Sequence, residues 1–167
     1  EKGYREAAIP EEKRKLERSE LVILRILGLV ALKRDLAALI EPHLELIPVP
    51  YKEAYGYITG GLPDSKLPAG EVQEIVNFAS LRSGMEFTGF DEKQLEVELK
   101  NLLKELQYEH LKQLRDKTGR LVLQAEQSGN DEKVTEHLKQ LDEILQKLHN
   151  LRNAKEEVKE EVKETRT

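Results

Sequence analysis

From Asp91 to Ser128 the chain contains no proline, and its apolar residues recur at helical spacing. Leu95, Leu99, Leu102, Leu103 and Leu106 form the first part of the stripe, and Leu114, Leu121 and Ala125 continue it. Asp91 is placed to cap the helix, with Gln94 three residues on to reach back to it. Gly119 is the weak spot, costing ~1 kcal/mol relative to alanine inside a helix. About 37 residues at ~1.5 Å each make a helix of roughly 55 Å. A small bundle is narrower than that, so one end of this helix must project.

The projection is stabilised by a second helix. Ser128-Gly129-Asn130-Asp131 reads as a turn between helices. Gly129 can adopt the left-handed conformation that closes one helix, and Asn130 can cap the next. Asp131 and Glu132 suit the positive end of its dipole. That helix repeats Val134, Leu138, Leu141, Leu145 and Leu148 in steps of four and three, a heptad seam. Ile144 and Leu151 are expected beside the seam. Neither arm can bury its stripe alone, so the two arms must fold back as an antiparallel hairpin. After Arg152 the chain becomes a Lys/Glu tail with only Val158 and Val162, expected as a frayed helix or a disordered segment.

Upstream, several shorter helices are expected. Pro10-Glu11-Glu12 looks like a helix start within a charged linker. Leu21, Leu24, Ile26, Leu27 and Val30 mark the first bundle helix, with Gly28 as its break. Leu32, Leu36, Leu39 and Ile40 mark a second, stopped by Pro42. Tyr51, Tyr55, Ile58 and Leu62 form a stripe ended by Gly60-Gly61. Val72, Ile75, Val76, Ala79 and Leu81 form another, ended by Ser83-Gly84. Pro63 to Gly70 reads as a loop. The expected fold is all-α: a small helical bundle (19–106), joined by a long helix to a projecting antiparallel helical hairpin (107–152). A linker from an upstream domain (1–18) and a charged tail (153–167) flank them. The absence of an initiator methionine fits a piece of a longer chain.

Composition narrows the function. Charged residues are 35% of the 167, a share suited to long exposed helices. Net charge is −5 with the signs mixed, so direct nucleic-acid binding is not expected. There is no cysteine, which excludes disulfides and thiolate metal sites and fits a cytoplasmic protein. The apolar stretch Leu21–Ile40 is interrupted by Arg25, Lys33, Arg34 and Asp35, so no membrane span is expected. His43, His110, His137 and His149 show no metal-ligand spacing on one helix. A hairpin would set His110 opposite His149, but two ligands are too few for a good site. Gly60-Gly61 lacks the Gly-Lys-Ser/Thr ending of a phosphate loop. Tyr51, Tyr55 and Tyr57 are read as core packing or a protein-facing patch, and the paired glutamates of the tail as a solvated face. No catalytic residue, metal or cofactor is expected. The hairpin remains as the functional element, since a charged projection is usually kept for packing on a partner helix.

The stretches Val97–Leu106, His110-Leu111-Lys112 and Leu138–Leu151, with Leu123–Glu132, resemble the C-terminal end of bacterial DnaG-type DNA primases. The tip, Ala125-Glu126-Gln127-Ser128-Gly129-Asn130-Asp131-Glu132, carries most of that resemblance. The family more often has Gly-Asp directly, so Asn130 looks like a one-residue insertion. Leu16-Glu17-Arg18-Ser19-Glu20-Leu21 resembles the start of the same domain. The resemblance covers roughly residues 16 to 152 and is weak from Tyr51 to Phe90. It implies a non-catalytic module, a bundle plus a hairpin, that docks on the N-terminal domains of the replicative DnaB-type helicase and recruits primase to the fork. The polymerising and zinc-binding domains would lie upstream. Hairpin geometry adds the expected contacts: Val122, Leu123, Ile144, Leu148, Leu151 and Arg152. Two other readings stand beside this one. The chain could be an N-terminal domain of the replicative helicase, which shares the architecture. It could also be a homotypic coiled-coil module with weak self-association. An enzyme on a helical bundle has no support in the sequence.

Overall fold

The computed structural model describes residues 17–60 and 70–164, with side chains through Ala154. The described residues form six α-helices and two 3-10 segments, with no strand among them. The helices are α1 (Arg18–Leu32), α2 (Ala37–Ile40), α3 (Val49–Gly60), α4 (Glu71–Glu86), α5 (Glu92–Gln127) and α6 (Asp131–Glu164). The 3-10 segments, Arg34–Leu36 and Glu41–Leu46, flank α2. The all-α bundle expected from the sequence is therefore present. The helix start at Pro10 and the loop from Pro63 to Ala69, with Gly61 and Leu62, lie outside the described residues.

Helix α1 is apolar over most of its circumference, with Arg18 and Arg25, seven residues apart, marking one charged line. Val22, Ile23, Leu24, Ile26, Leu27, Leu29 and Val30 are all buried. A helix of that kind must be enclosed, and α3, α4 and α5 pack around it. Tyr51, Tyr55 and Ile58 close the core from α3, and Leu95, Leu99, Leu102, Leu103 and Leu106 from α5. Tyr51 and Tyr55 are core residues with satisfied hydroxyls. Tyr51 donates to Glu20 Oε1 at 3.2 Å, and Tyr55 donates to the Ala37 carbonyl at 3.2 Å.

Two expected breaks are absent. Gly28 lies inside α1, and Ser83-Gly84 lies inside α4. Gly28 and Ser83 meet each other. A Cβ added at Gly28 would stand 2.7 Å from Ser83 Cβ and 2.9 Å from the Ala79 carbonyl oxygen. Small residues here let two helix backbones approach closely, and the Ser83 hydroxyl is satisfied by donating to the Ser80 carbonyl. The second expected helix also differs. Pro42 ends α2 at Ile40, as a ring without an N–H should, but the chain stays coiled as a 3-10 segment.

One arginine ties three elements together. Arg25 of α1 reaches Glu98 Oε1 of α5 at 2.8 Å and approaches Glu86 Oε1 of α4 at 2.6 Å as an ion pair. Its guanidinium also lies 5.8 Å from the centre of the Phe87 ring.

Two substitutions test this packing in opposite directions. Gly28→Ala should destabilise the fold by about 1–3 kcal/mol through overpacking. Gly119→Ala, where nothing lies within 4 Å of the added methyl, should stabilise it by about 1 kcal/mol through helix propensity. Urea unfolding followed by helicity reads both. The Tyr55 phenol titrates above its ordinary value, first through burial and then through the Glu41 charge. A raised folded value means the unfolded chain releases the proton first, so stability falls as pH rises through the ordinary tyrosine range near ~10. Melts at pH 9 and pH 11 should show a smaller loss for Tyr55→Phe than for the native chain.

Candidate functional site

Helix α5 begins with the expected cap. The Asp91 side chain accepts from the Gln94 N–H at 2.8 Å, and the Gln94 side chain accepts from the Asp91 N–H at 2.9 Å. The helix then runs unbroken for 36 residues, roughly 54 Å at ~1.5 Å each. Its first half packs on α1, and beyond that its principal neighbour is α6. Near the junction, Arg18 anchors α1 to α5 by a 2.7 Å bond to Glu105 and a 3.7 Å approach to Glu109. The hydrogen bond to Glu105 first, then the charges of Glu105 and Glu109, hold the Arg18 guanidinium above its ordinary pKa. Gln107 reaches His43 at 3.1 Å beside it.

The tip is a Schellman turn. Gly129 has φ of +66°. The Asn130 N–H donates to the Ala125 carbonyl and the Gly129 N–H to the Glu126 carbonyl, each at 3.0 Å. Asn130 Oδ1 then accepts from the Lys133 N–H at 3.1 Å and caps α6. Asn130 thus serves both helices. The helix α6 continues to Glu164, through the stretch expected from the sequence as a tail.

The hairpin seam differs from the expected one. On α5 it consists of Thr118, Val122 and Ala125, which are buried, with Leu111, Leu114 and Leu121 half-buried. On α6 it consists of Val134, His137, Leu141, Ile144, Leu148 and Leu151. Leu138 and Leu145, expected as seam residues, are 49% and 46% exposed. The expected and observed seams share Val134, Leu141 and Leu148 and differ in which flank of that line turns inward. The apolar stripe of α6 is three positions wide per heptad, and a single partner helix covers only two of them.

This changes where the six candidate contacts stand. Val122 and Leu148 are buried in the seam, and Ile144 and Leu151 are half-buried in it. They hold the hairpin together and are not on its outer surface. Leu123, at 59%, and Arg152 are exposed. Leu123, Leu138 and Leu145 each follow an inward residue by one position, namely Val122, His137 and Ile144. In an antiparallel pair of right-handed helices, such positions point to the same flank of the pair. The hairpin therefore carries an outward leucine flank, to which α5 also contributes Gly119.

His110 and His149 have separate neighbours. His149 is exposed and contacts Asn153 at 3.1 Å. His110 lines a depression with Glu17, Glu20, Tyr51 and Gln113. Among the described residues there is no group of three histidine or acidic side chains able to hold a metal ion. Also among them, no helix is long and apolar enough to cross a membrane.

A second apolar surface lies on the bundle. Phe78, Leu81 and Met85 of α4 are 44%, 70% and 77% exposed. Leu81 is expected from the sequence in the core stripe, but Val72, Ile75, Val76, Ala79 and Ser83 fill the inner face. The signal was available: Phe78, Leu81 and Met85 form their own i, i+3, i+7 set on the opposite side of the helix.

No protein-family profile, curated protein or solved structure matches the chain.

Adjacent residues on α6 should respond differently to the same change. Ile144→Asp puts a charge into the seam and should cost about 1–3 kcal/mol. Leu145→Asp lies on the exposed flank and should stay within about 0.5 kcal/mol of the native chain. Comparing their urea midpoints checks the seam register.

Proposed function

We propose that this chain is a protein-docking module, namely the non-catalytic C-terminal domain of a bacterial DnaG-type primase. In this reading it binds the N-terminal domains of the replicative helicase and brings primase to the replication fork. The observation that carries the docking reading is the leucine flank on a hairpin that extends away from the bundle. Leu123, Leu138 and Leu145 stay exposed after each arm has used its available neighbour. The primase assignment adds the resemblance at the hairpin tip. Leu123, Leu138 and Leu145 each still expose about half of their surface, so burying them against a partner helix gives about 1 kcal/mol each.

The contact set comes from the flank: Leu123, Leu138 and Leu145, with Arg152 one heptad beyond Leu145. Val122, Ile144, Leu148 and Leu151 act by holding the two arms in register. No cofactor, metal or nucleic acid takes part, and polymerisation would belong to the rest of the primase. A cytoplasmic location goes with this role.

Calorimetric titration of a replicative helicase N-terminal domain tests it. Leu138→Asp with Leu145→Asp should weaken binding at least tenfold while leaving the melting temperature near native. Undiminished affinity in that variant would sink the assignment. Lack of binding, together with self-association that the same variant abolishes, would move the flank to a homotypic interface. That is the behaviour expected of a helicase N-terminal domain or a coiled-coil module.

A further inference from the structure

The ridge on α4 sets three exposed large apolar side chains of the bundle in one line. In a chain with 35% charged residues, the outward line from Phe78 through Leu81 to Met85 carries no charge. Asn77, Ser80 and Gly84 beside it are short or side-chain-free. Arg82, on the flank, is already paired with Glu86 at 3.2 Å. Helical spacing sets Glu74 in line with the ridge, at i, i+4, i+7 and i+11 through Phe78, Leu81 and Met85. Phe78 also belongs to a depression of about 280 Å³ lined by Glu20, Leu24, Tyr51, Glu71, Glu74 and Ile75. The ridge therefore leads at one end into a pocket with an apolar floor and three carboxylates. Glu71 and Glu74 are exposed and form no ion pair among the described residues. They lie in the first turn of α4, at the positive end of the helix dipole.

The geometry points to a second docking site, separate from the hairpin. We propose that the outer face of α4 receives one amphipathic helix of a partner protein, with Lys or Arg at the end that enters the acidic pocket. Charge decides the occupant's polarity, because an acidic end would meet the like charges of Glu71 and Glu74. Size decides that it is one helix. Three exposed side chains of at most ~200 Å² each fall short of the ~800 Å² per partner of a stable dimer. The distance from Glu74 to Met85, eleven residues at ~1.5 Å or roughly 17 Å, matches three turns of a docked helix. Apolar residues at i, i+3 or i+4, and i+7 on the incoming helix would match the ridge.

The test uses the whole chain and two synthetic helical peptides with the same leucine stripe. One peptide ends in three lysines, the other in three glutamates. Fluorescence anisotropy should show the lysine-ended peptide binding at least tenfold more tightly. Leu81→Asp should weaken that binding at least tenfold. Glu74→Lys should narrow the preference between the peptides. Leu138→Asp with Leu145→Asp on the hairpin should change nothing, which separates this site from the helicase reading. All the altered positions are exposed, and unchanged thermal melts would confirm that the variants fold. Equal binding of both peptides, or binding indifferent to Leu81→Asp, would overturn the proposal. So would concentration-dependent doubling of mass that Leu81→Asp abolishes, because the face would then belong to a second copy.

Discussion

A helix that is apolar over most of its circumference cannot stay in water, and the rest of the bundle depends on enclosing α1. Each large aliphatic side chain taken out of water contributes about 1.5–3 kcal/mol, and α1 buries seven of them. Enclosure requires several neighbours, supplied mainly by α3, α4 and α5. The closest of these contacts is possible only because Gly28 lacks a side chain where Ser83 stands. Interiors packed at crystal-like density have no slack for an extra methyl there. Arg25 then pins the open end of the arrangement, since one guanidinium reaches both Glu86 and Glu98.

The hairpin results from the same constraint applied to length. Enclosing α1 uses only the first half of α5, and the remainder still carries an apolar stripe. That stripe has no bundle left to join, so it is covered by α6 folding back through the turn at Gly129. The cover is incomplete because the apolar surface of α6 is wider than one helix can mask. Leu138 and Leu145 are what is left over. The exposed leucines on the hairpin and the exposed ridge on α4 thus share an origin. In each case a helix has two apolar faces and the described residues supply a neighbour for only one.

The breakers in this sequence show how a residue's meaning depends on what it meets. Glycine and serine lower helix propensity by at most about 1 kcal/mol, less than the burial a helix can gain from its neighbours. At Gly28 and Ser83 the neighbours win, and the small residues become the contact. At Gly129 no burial competes, the left-handed conformation is available, and the helix ends. Pro42 sits between these cases: it removes a donor from the α-helix, yet the tighter 3-10 turn continues past it.

Much of the fold was legible without coordinates. Periodicity determined the helices, because a 3.6-residue repeat is a local property of the chain. The caps at Asp91 and Asn130 and the turn at Gly129 were equally local, each resting on side chains within a few residues of the backbone they satisfy. Local sequence could not determine which of two overlapping stripes turns inward. Val134, Leu141 and Leu148 belong to both, and only the position of α5 selects Ile144 over Leu145. It could not tell a break at Gly28 from a close contact, since Ser83 is 55 residues away along the chain. Periodicity could group Leu81 with Phe78 and Met85, but which face of α4 turns inward is decided by Gly28 of α1 meeting Ser83 and Ala79. The exposed side chains available for docking are therefore a tertiary property: each is exposed because another residue on the same helix took the buried place.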